Sequence, residues 1–300
     1  MKKVTPVAFQ LTSGLTEEQL KFFKKNGYLH FKNFIPKETV KELLYEVEQV
    51  QQHLLANDAK KVNGIPLKFG NDINGKRLIQ RIAFASQYSN KLHQFLQDSR
   101  LKALLTLLEP YTGRIGENEK DGLVVNHYVN TPASKFSQLG WHTDSPRDLF
   151  LGSRIMPMLN VGLHLDDCAF ENGGLRVIPG THRQGLLGLF FRKKYYVDNS
   201  ADKSEVGFDI EAGDLTVHEG KLWHRVQQSP VTGEASRRRV MYIPVVTGPV
   251  KFKHAQSTTP VYHKVAQLKP AFQSLKYNLA GLAKVISPVA STILSITRIK

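Results

Sequence analysis

Before Pro110 several apolar stretches of this chain recur at helical spacing. From Leu123 onward they fall in short runs broken by glycine, proline and asparagine. That switch constrains the fold most, because a 3.6-residue period lays one stripe along a helix, whereas short bounded runs suit strands. Thr16 with Gln19 is a capping-box pattern and predicts a helix through about Lys25, closed by Gly27. A short strand from Tyr28 to Phe31 follows. Pro36 opens a second helix with the stripe Val40, Leu43, Leu44, Val47, Val50 and Leu54. Leu92, Phe95 and Leu96, then Leu101, Leu104, Leu105 and Leu108, predict two shorter helices before Pro110. The chain therefore reads as mainly β with flanking helices. Its 300 residues, 41% of them hydrophobic, suit one large domain or one domain with a tail.

The chemistry concentrates in Gly140-Trp141-His142-Thr143-Asp144, taken with His224 and the run Arg237-Arg238-Arg239. On a strand, residues i and i+2 share a face, so His142 and Asp144 can bind one metal while Thr143 points away. The third ligand must come from another strand, and His224 is placed to supply it. Two histidines and one carboxylate with open positions make the facial triad of non-heme Fe(II) oxygenases. An arginine on a nearby strand gives a rigid two-pronged donor for the carboxylate of a keto-acid cosubstrate. Alone, His-x-Asp also reads as a polar strand end without a ligand role.

The stretch Leu163-His164-Leu165-Asp166-Asp167 through Glu171-Asn172-Gly173-Gly174 to Pro179-Gly180-Thr181-His182 resembles the phytanoyl-CoA dioxygenase family. Members carry a strand, an acidic turn, Glu-Asn-Gly, an apolar strand and Pro-Gly-Ser/Thr-His. Further features are similar and in order. They are Leu15-Thr16-Glu17-Glu18-Gln19, Phe22-Phe23, Asn26-Gly27-Tyr28-Leu29, Phe34-Ile35-Pro36 and Glu211-Ala212-Gly213-Asp214, and the likeness covers residues 14 to 247.

The resemblance implies a double-stranded β-helix, a jelly-roll, cupin-like core with Fe(II) at its mouth. It also implies 2-oxoglutarate and O2 as cosubstrates. His142 and Asp144 match the first two iron ligands and His224 the distal one. The usual His-Gly-Ser is replaced by His224-Arg225-Val226, which leaves His218 as an alternative ligand. Arg238 fits the keto-acid anchor best by register, with Arg239 next. Alternation lets only one of these two neighbours enter the barrel. Asn126 matches an amide beside the cosubstrate, and also reads as a buried strand amide satisfied by backbone. Gly162 stands where many relatives have a tryptophan, which predicts open space near the iron. His164 reads as a core histidine. Related halogenases have a small residue at the carboxylate position, so Asp144 argues for hydroxylation or a desaturation variant.

Between His182 and Gly213 an insertion runs through apolar residues 186–191 into Arg192-Lys193-Lys194-Tyr195-Tyr196. In relatives this region often covers the active site. The segment suits an acidic or amphiphilic substrate, and equally an ordinary solvated loop. The formal net charge is +15, and residues 250–300 hold eight basic residues and no Asp or Glu. With Leu275, Leu279, Leu282, Val285, Ile286, Val289, Ile293, Leu294 and Ile296, interrupted by Pro288, residues 251–300 read as a basic amphipathic helical extension. It either meets a membrane through 268–300 or docks on the barrel. Net charge alone allows nucleic-acid binding, but no recognition motif supports it.

The single Cys168 excludes an intramolecular disulfide and suits a reducing compartment. Residues 1–14 lack the apolar core of a signal peptide, and no run is apolar enough for a transmembrane helix. The expectation is a cytoplasmic enzyme with 1–250 as the dioxygenase domain, peripheral at the membrane through its tail. It would be an Fe(II)- and 2-oxoglutarate-dependent hydroxylase of a small-molecule or lipid-like, anionic substrate. Two other classes stay open: a family member that has lost catalysis and serves as a binding protein, and a cupin-like metalloenzyme that uses no keto acid. Metal content tests the first and cosubstrate dependence the second.

Overall fold

The computed structural model describes residues 6–132, 134, 136–146, 154–260 and 263. A first compact unit spans residues 1–258. It opens with α1 (Glu17–Asn26), where Thr16 and Gln19 form the reciprocal capping box and Gly27 closes the helix at φ 80°. Strand β1 (Tyr28–Phe31) leads to α2 (Lys37–Ala56), which follows Pro36. Four strands then appear where no strand was expected: β2 (Lys61–Val62), β3 (Ile65–Pro66), β4 (Lys68–Asn71) and β5 (Arg77–Ile82). Helices α3 (Asn90–Phe95) and α4 (Ser99–Ala103) follow, and the second tightens into a 3-10 turn over Leu104–Leu108.

The β region comprises β6 (Arg114–Ile115), β7 (Val124–Tyr128), β8 (Leu139–His142), β9 (Met158–His164), β10 (Gly174–Val177), β11 (Val206–Gly207), β12 (Leu215–Glu219), β13 (His224–Gln227) and β14 (Arg238–Val246). The short helix α5 (Leu186–Phe191) sits between β10 and β11. The larger sheet runs β1-β12-β9-β14-β7-β5-β4, with β6 on β14, and the smaller runs β11-β10-β13-β8. Every strand ladder in both is antiparallel. These are the two sheets of a jelly-roll, double-stranded β-helix core with flanking helices, mainly β as expected.

Alternation decides what each face of the larger sheet does. Leu159, Val161 and Leu163 of β9, Met241, Ile243 and Val245 of β14, and Leu215 and Val217 of β12 share one hydrophobic cluster with Leu43, Val50 and Leu54 of α2. Each such side chain contributes about 1.5–3 kcal/mol by leaving water. The intervening residues, Asn160, Gly162 and His164, then Arg238, Val240 and Tyr242, then Asn126 and Tyr128, lie on the other face.

Asp214 clasps β1 onto β12. It accepts from His30 Nε2 at 3.0 Å, Lys32 Nζ at 2.9 Å and the Asn33 and Glu211 amides. Those donors hold its carboxyl at about 2 against the opposing effect of burial. Gly213 at φ 99° brings its carbonyl to the Ile35 amide. Residues 251 and 253 bond back to the 118–119 segment. The helix expected over 268–300 lies outside the described residues. Among the described residues no helix is long and apolar enough to cross a membrane.

Candidate metal centre

His142 ends β8 and faces His224, its direct cross-strand partner at the start of β13. Two residues on, the Asp144 and Ser145 amides both bond to the Gly220 carbonyl, at 2.7 and 3.0 Å, which fixes the carboxylate beside the two rings. One donor atom each from His142, Asp144 and His224 lies within 4.8 Å of the other two, and all three residues are buried. His142 Nδ1 donates to the Gly140 carbonyl at 2.8 Å, and His224 Nδ1 donates to the Leu222 carbonyl at 2.9 Å. Each bond fixes the tautomer and leaves Nε2 with its lone pair for a metal. Asn160 Nδ2 donates to Asp144 Oδ2 at 2.9 Å. Burial, then His142 and His218, hold the His224 ring neutral, well below the usual imidazole range.

His218 lies beside this set. Its Nε2 is 3.8 Å from Asp144 Oδ2 and its ring centroid 4.2 Å from that of His224, but it belongs to β12 in the larger sheet. Both of its ring nitrogens are buried without a hydrogen-bond partner.

The arginines separate by face. Arg238 is 4% exposed and donates to the Gln227 carbonyl at 2.9 Å, and its guanidinium lies 5.7 Å from the Tyr128 ring. The Arg238 Nε has no partner. Arg239 turns the other way, into a two-pronged pair with Asp166 at 2.6 and 2.9 Å. Arg237 is paired with Glu234. Asn126 is not satisfied by backbone. Its amide donates to the Tyr128 hydroxyl at 3.0 Å, and its Oδ1 is buried without a partner.

Gly162 does not open space. A Cβ there would meet Thr216 Oγ1 and Tyr242 Cε1 at 3.1 Å, because Tyr242 is its direct cross-strand partner on β14. The tyrosine ring takes the volume that a tryptophan at 162 would need. His164 is a core residue bonded to Thr216 at 2.9 Å, and burial lowers it to about 3.

The sequence model of the phytanoyl-CoA dioxygenase (PhyH) family matches residues 23–238. The chain belongs to the phytanoyl-CoA dioxygenase family. Among curated proteins it is 25% identical over 250 residues to "Phytanoyl-CoA dioxygenase 1" of Oryza sativa subsp. japonica, covering 74% of this chain and 87% of that one. Among solved structures it is similar to the non-heme alpha ketoglutarate dependent carbocyclase SnoK, with TM-score 0.58 and 15% identity over 83% of this chain and 91% of that one. It is also similar to EvdO2 from Micromonospora carbonacea var. aurantiaca, complexed with 2-oxoglutarate. There the TM-score is 0.57 and the identity 13%, over 83% and 97% of the two chains.

Family membership brings Fe(II), 2-oxoglutarate and O2 as the cofactor set, and the donors present fit it. Imidazole and carboxylate suit iron, and the lone thiol, Cys168, is not in the triad. The orphaned polar atoms of Asn126, His218 and Arg238 are what a polar ligand between the sheets would satisfy.

Several contributors were not visible in the sequence. Tyr128 stacks on Phe136 at 4.7 Å, and burial raises its hydroxyl to about 12, so it remains a donor. Arg81, fixed by Asp121 at 2.6 Å, brings a second guanidinium opposite Asn126. Alternation from Asn126 and His164 could have pointed to Tyr128 and Asn160. The insertion walls the site: Tyr196 stacks on His142 at 4.8 Å, and the Tyr195 hydroxyl meets Thr143 Oγ1 at 2.5 Å. Arg225, the departure from His-Gly-Ser, points away from the metal side. It binds Glu205 at 2.8 Å and the Asn199 carbonyl at 3.0 Å, which secures that wall.

Proposed function

We propose that this chain is an Fe(II)- and 2-oxoglutarate-dependent oxygenase that hydroxylates an unactivated carbon of a small-molecule or lipid-like, anionic substrate. The observation that carries the reading is the convergence of His142, Asp144 and His224 with both imidazole tautomers fixed for ligation. In this reading those three residues hold the iron. Arg238 binds the far carboxylate of the keto acid, and Asn126 with Tyr128 orients its near end. When bound, iron and keto acid convert dioxygen into an oxidant for a C–H bond, with succinate and carbon dioxide as by-products.

The protein's own part is positioning. Asn160 aims Asp144, the Gly140 and Leu222 carbonyls aim the histidines, and the Tyr195–Tyr196 wall limits water around them. A carboxylate at 144 fills the ligand position a halide would need, which favours hydroxylation or desaturation. SnoK is a carbocyclase on a similar fold. Outcome on such a fold therefore depends on which substrate carbon is held at the metal.

The basic insertion and tail support an acidic, lipid-like substrate, and buried Cys168 supports a cytoplasmic, reducing location. Peripheral membrane contact through 268–300 is part of the proposal, and vesicle flotation with and without those residues tests it; unchanged binding contradicts it. The reaction is tested by succinate formation from 2-oxoglutarate in wild type and in Asp144→Ala. Loss in the variant supports the ligand assignment, and retained turnover removes Asp144 from it.

A further inference from the structure

Helix α5 exposes apolar side chains where a soluble face is polar. Leu186, Leu187 and Phe191 are 68, 77 and 78% exposed, three of the four most exposed large apolar side chains among the described residues. Leu187 and Phe191 are four apart and share one face of the helix. The opposite side is anchored. Leu189 is 2% exposed, its carbonyl accepts from the Tyr195 hydroxyl at 2.7 Å, and the Gly188 carbonyl accepts from Trp223 Nε1 at 3.0 Å. The apolar tip is therefore held on the wall that covers His142.

Cations outnumber carboxylates around it: Arg192, Lys193 and Lys194 stand against Asp198 and Asp202. Arg192 and Lys194 are exposed, and the described residues offer neither a carboxylate within ion-pair distance. Only Lys193 is neutralised, by Asp202 at 2.8 Å. An open groove lined by Phe190, Phe191, Arg192, Lys193, Lys194, Tyr195 and Asp198 runs alongside. Apolar side chains rimmed by unpaired cations on a chain of net charge +15 complement an anionic bilayer, whose headgroups attract the cations while the apolar tip enters the acyl boundary.

We propose that residues 186–194 are a docking surface for an anionic lipid bilayer, placing the mouth of the metal site at the membrane. The proposal does not involve residues 268–300 and does not depend on the oxygenase reading.

The full-length protein is mixed with phosphatidylcholine vesicles, with or without phosphatidylserine. One readout is an environment-sensitive maleimide on Phe191→Cys, since Cys168 is buried. A blue shift with phosphatidylserine vesicles, weakened by salt, is expected. No shift while the protein still cosediments assigns binding to another surface and overturns the proposal. The second readout is cosedimentation of Leu187→Ser/Phe191→Ser and of Arg192→Glu/Lys194→Glu. Each should lose about tenfold or more in partitioning, with unfolding temperature and Fe(II) binding unchanged. Unaltered partitioning overturns the proposal. So does concentration-dependent dimerisation that Leu187→Ser/Phe191→Ser abolishes without any vesicle binding by the wild type, which would assign the face to a second copy of the chain.

Discussion

Arg238 and Arg239 are chain neighbours with opposite surroundings. One guanidinium is buried against Tyr128 with an unpaired Nε, and the other is saturated by Asp166 on the far side of the sheet. A charge-assisted bond to a cosubstrate carboxylate is worth about 1.5–3 kcal/mol. Arg238→Met should therefore raise the KM for 2-oxoglutarate by about 10- to 100-fold, measured by succinate release. Arg239→Met should leave that KM nearly unchanged. Equal effects from the two would contradict the assignment.

Glu219, at the end of β12, gives a pH prediction. Burial pushes its carboxyl from 4.5 to about 7, against weaker opposing effects from Lys221. A raised folded value means that the folded chain holds this proton longer than the unfolded chain does. Its stabilising share is complete below about 4.5 and is lost as pH rises to about 7. Glu219→Gln should remove a pH-dependent difference on the order of 3 kcal/mol across that window, seen by urea unfolding of both proteins at several pH values. Parallel pH profiles would refute it.

At the scale of elements, the insertion and its clamp are the part most open to test. Arg225 and Glu205 are 5 and 2% exposed at the side chain and form a buried pair. Removing one partner of such a pair costs about 3–5 kcal/mol. Arg225→Met should lower stability by that order and speed tryptic cleavage at 192–194; an unchanged cleavage rate would separate the clamp from the insertion.

Elements governed by local pattern were legible in the sequence. Thr16, Gln19 and Gly27 mark α1 by themselves, and the His-x-Asp spacing brings His142, the last residue of β8, and Asp144, in the turn after it, to one site with Thr143 turned away to Tyr195. The β4–β5 hairpin carries the turn signal Asn74-Gly75, but its strands are not legible in the sequence. Its strands lack clean polar alternation because Ile79 packs in the helix-facing core while Arg81 faces the site. The contact of Tyr242 with Gly162 and the stack of Tyr196 on His142 depend on register and packing between segments far apart in the chain, which no local pattern encodes.

For the whole molecule, the account is one of linkage between a metal site and a folded unit of residues 1–258. The three proposed ligands come from β8, the turn after it and β13, and converge only when the smaller sheet is formed. Fe(II) with 2-oxoglutarate at 100 times its dissociation constant should stabilise the fold by about 2.7 kcal/mol, a rise on the order of 5 °C in Tm. Asp144→Ala should show no such rise.

The most direct test is an anaerobic titration of the apoprotein with Fe(II) and then 2-oxoglutarate, followed by visible absorbance. A metal-to-ligand charge-transfer band that needs both, and that is absent in Asp144→Ala and His224→Ala, is the predicted result. Stoichiometric iron without a band would contradict the keto-acid site, and absence of iron binding would contradict the metal centre itself.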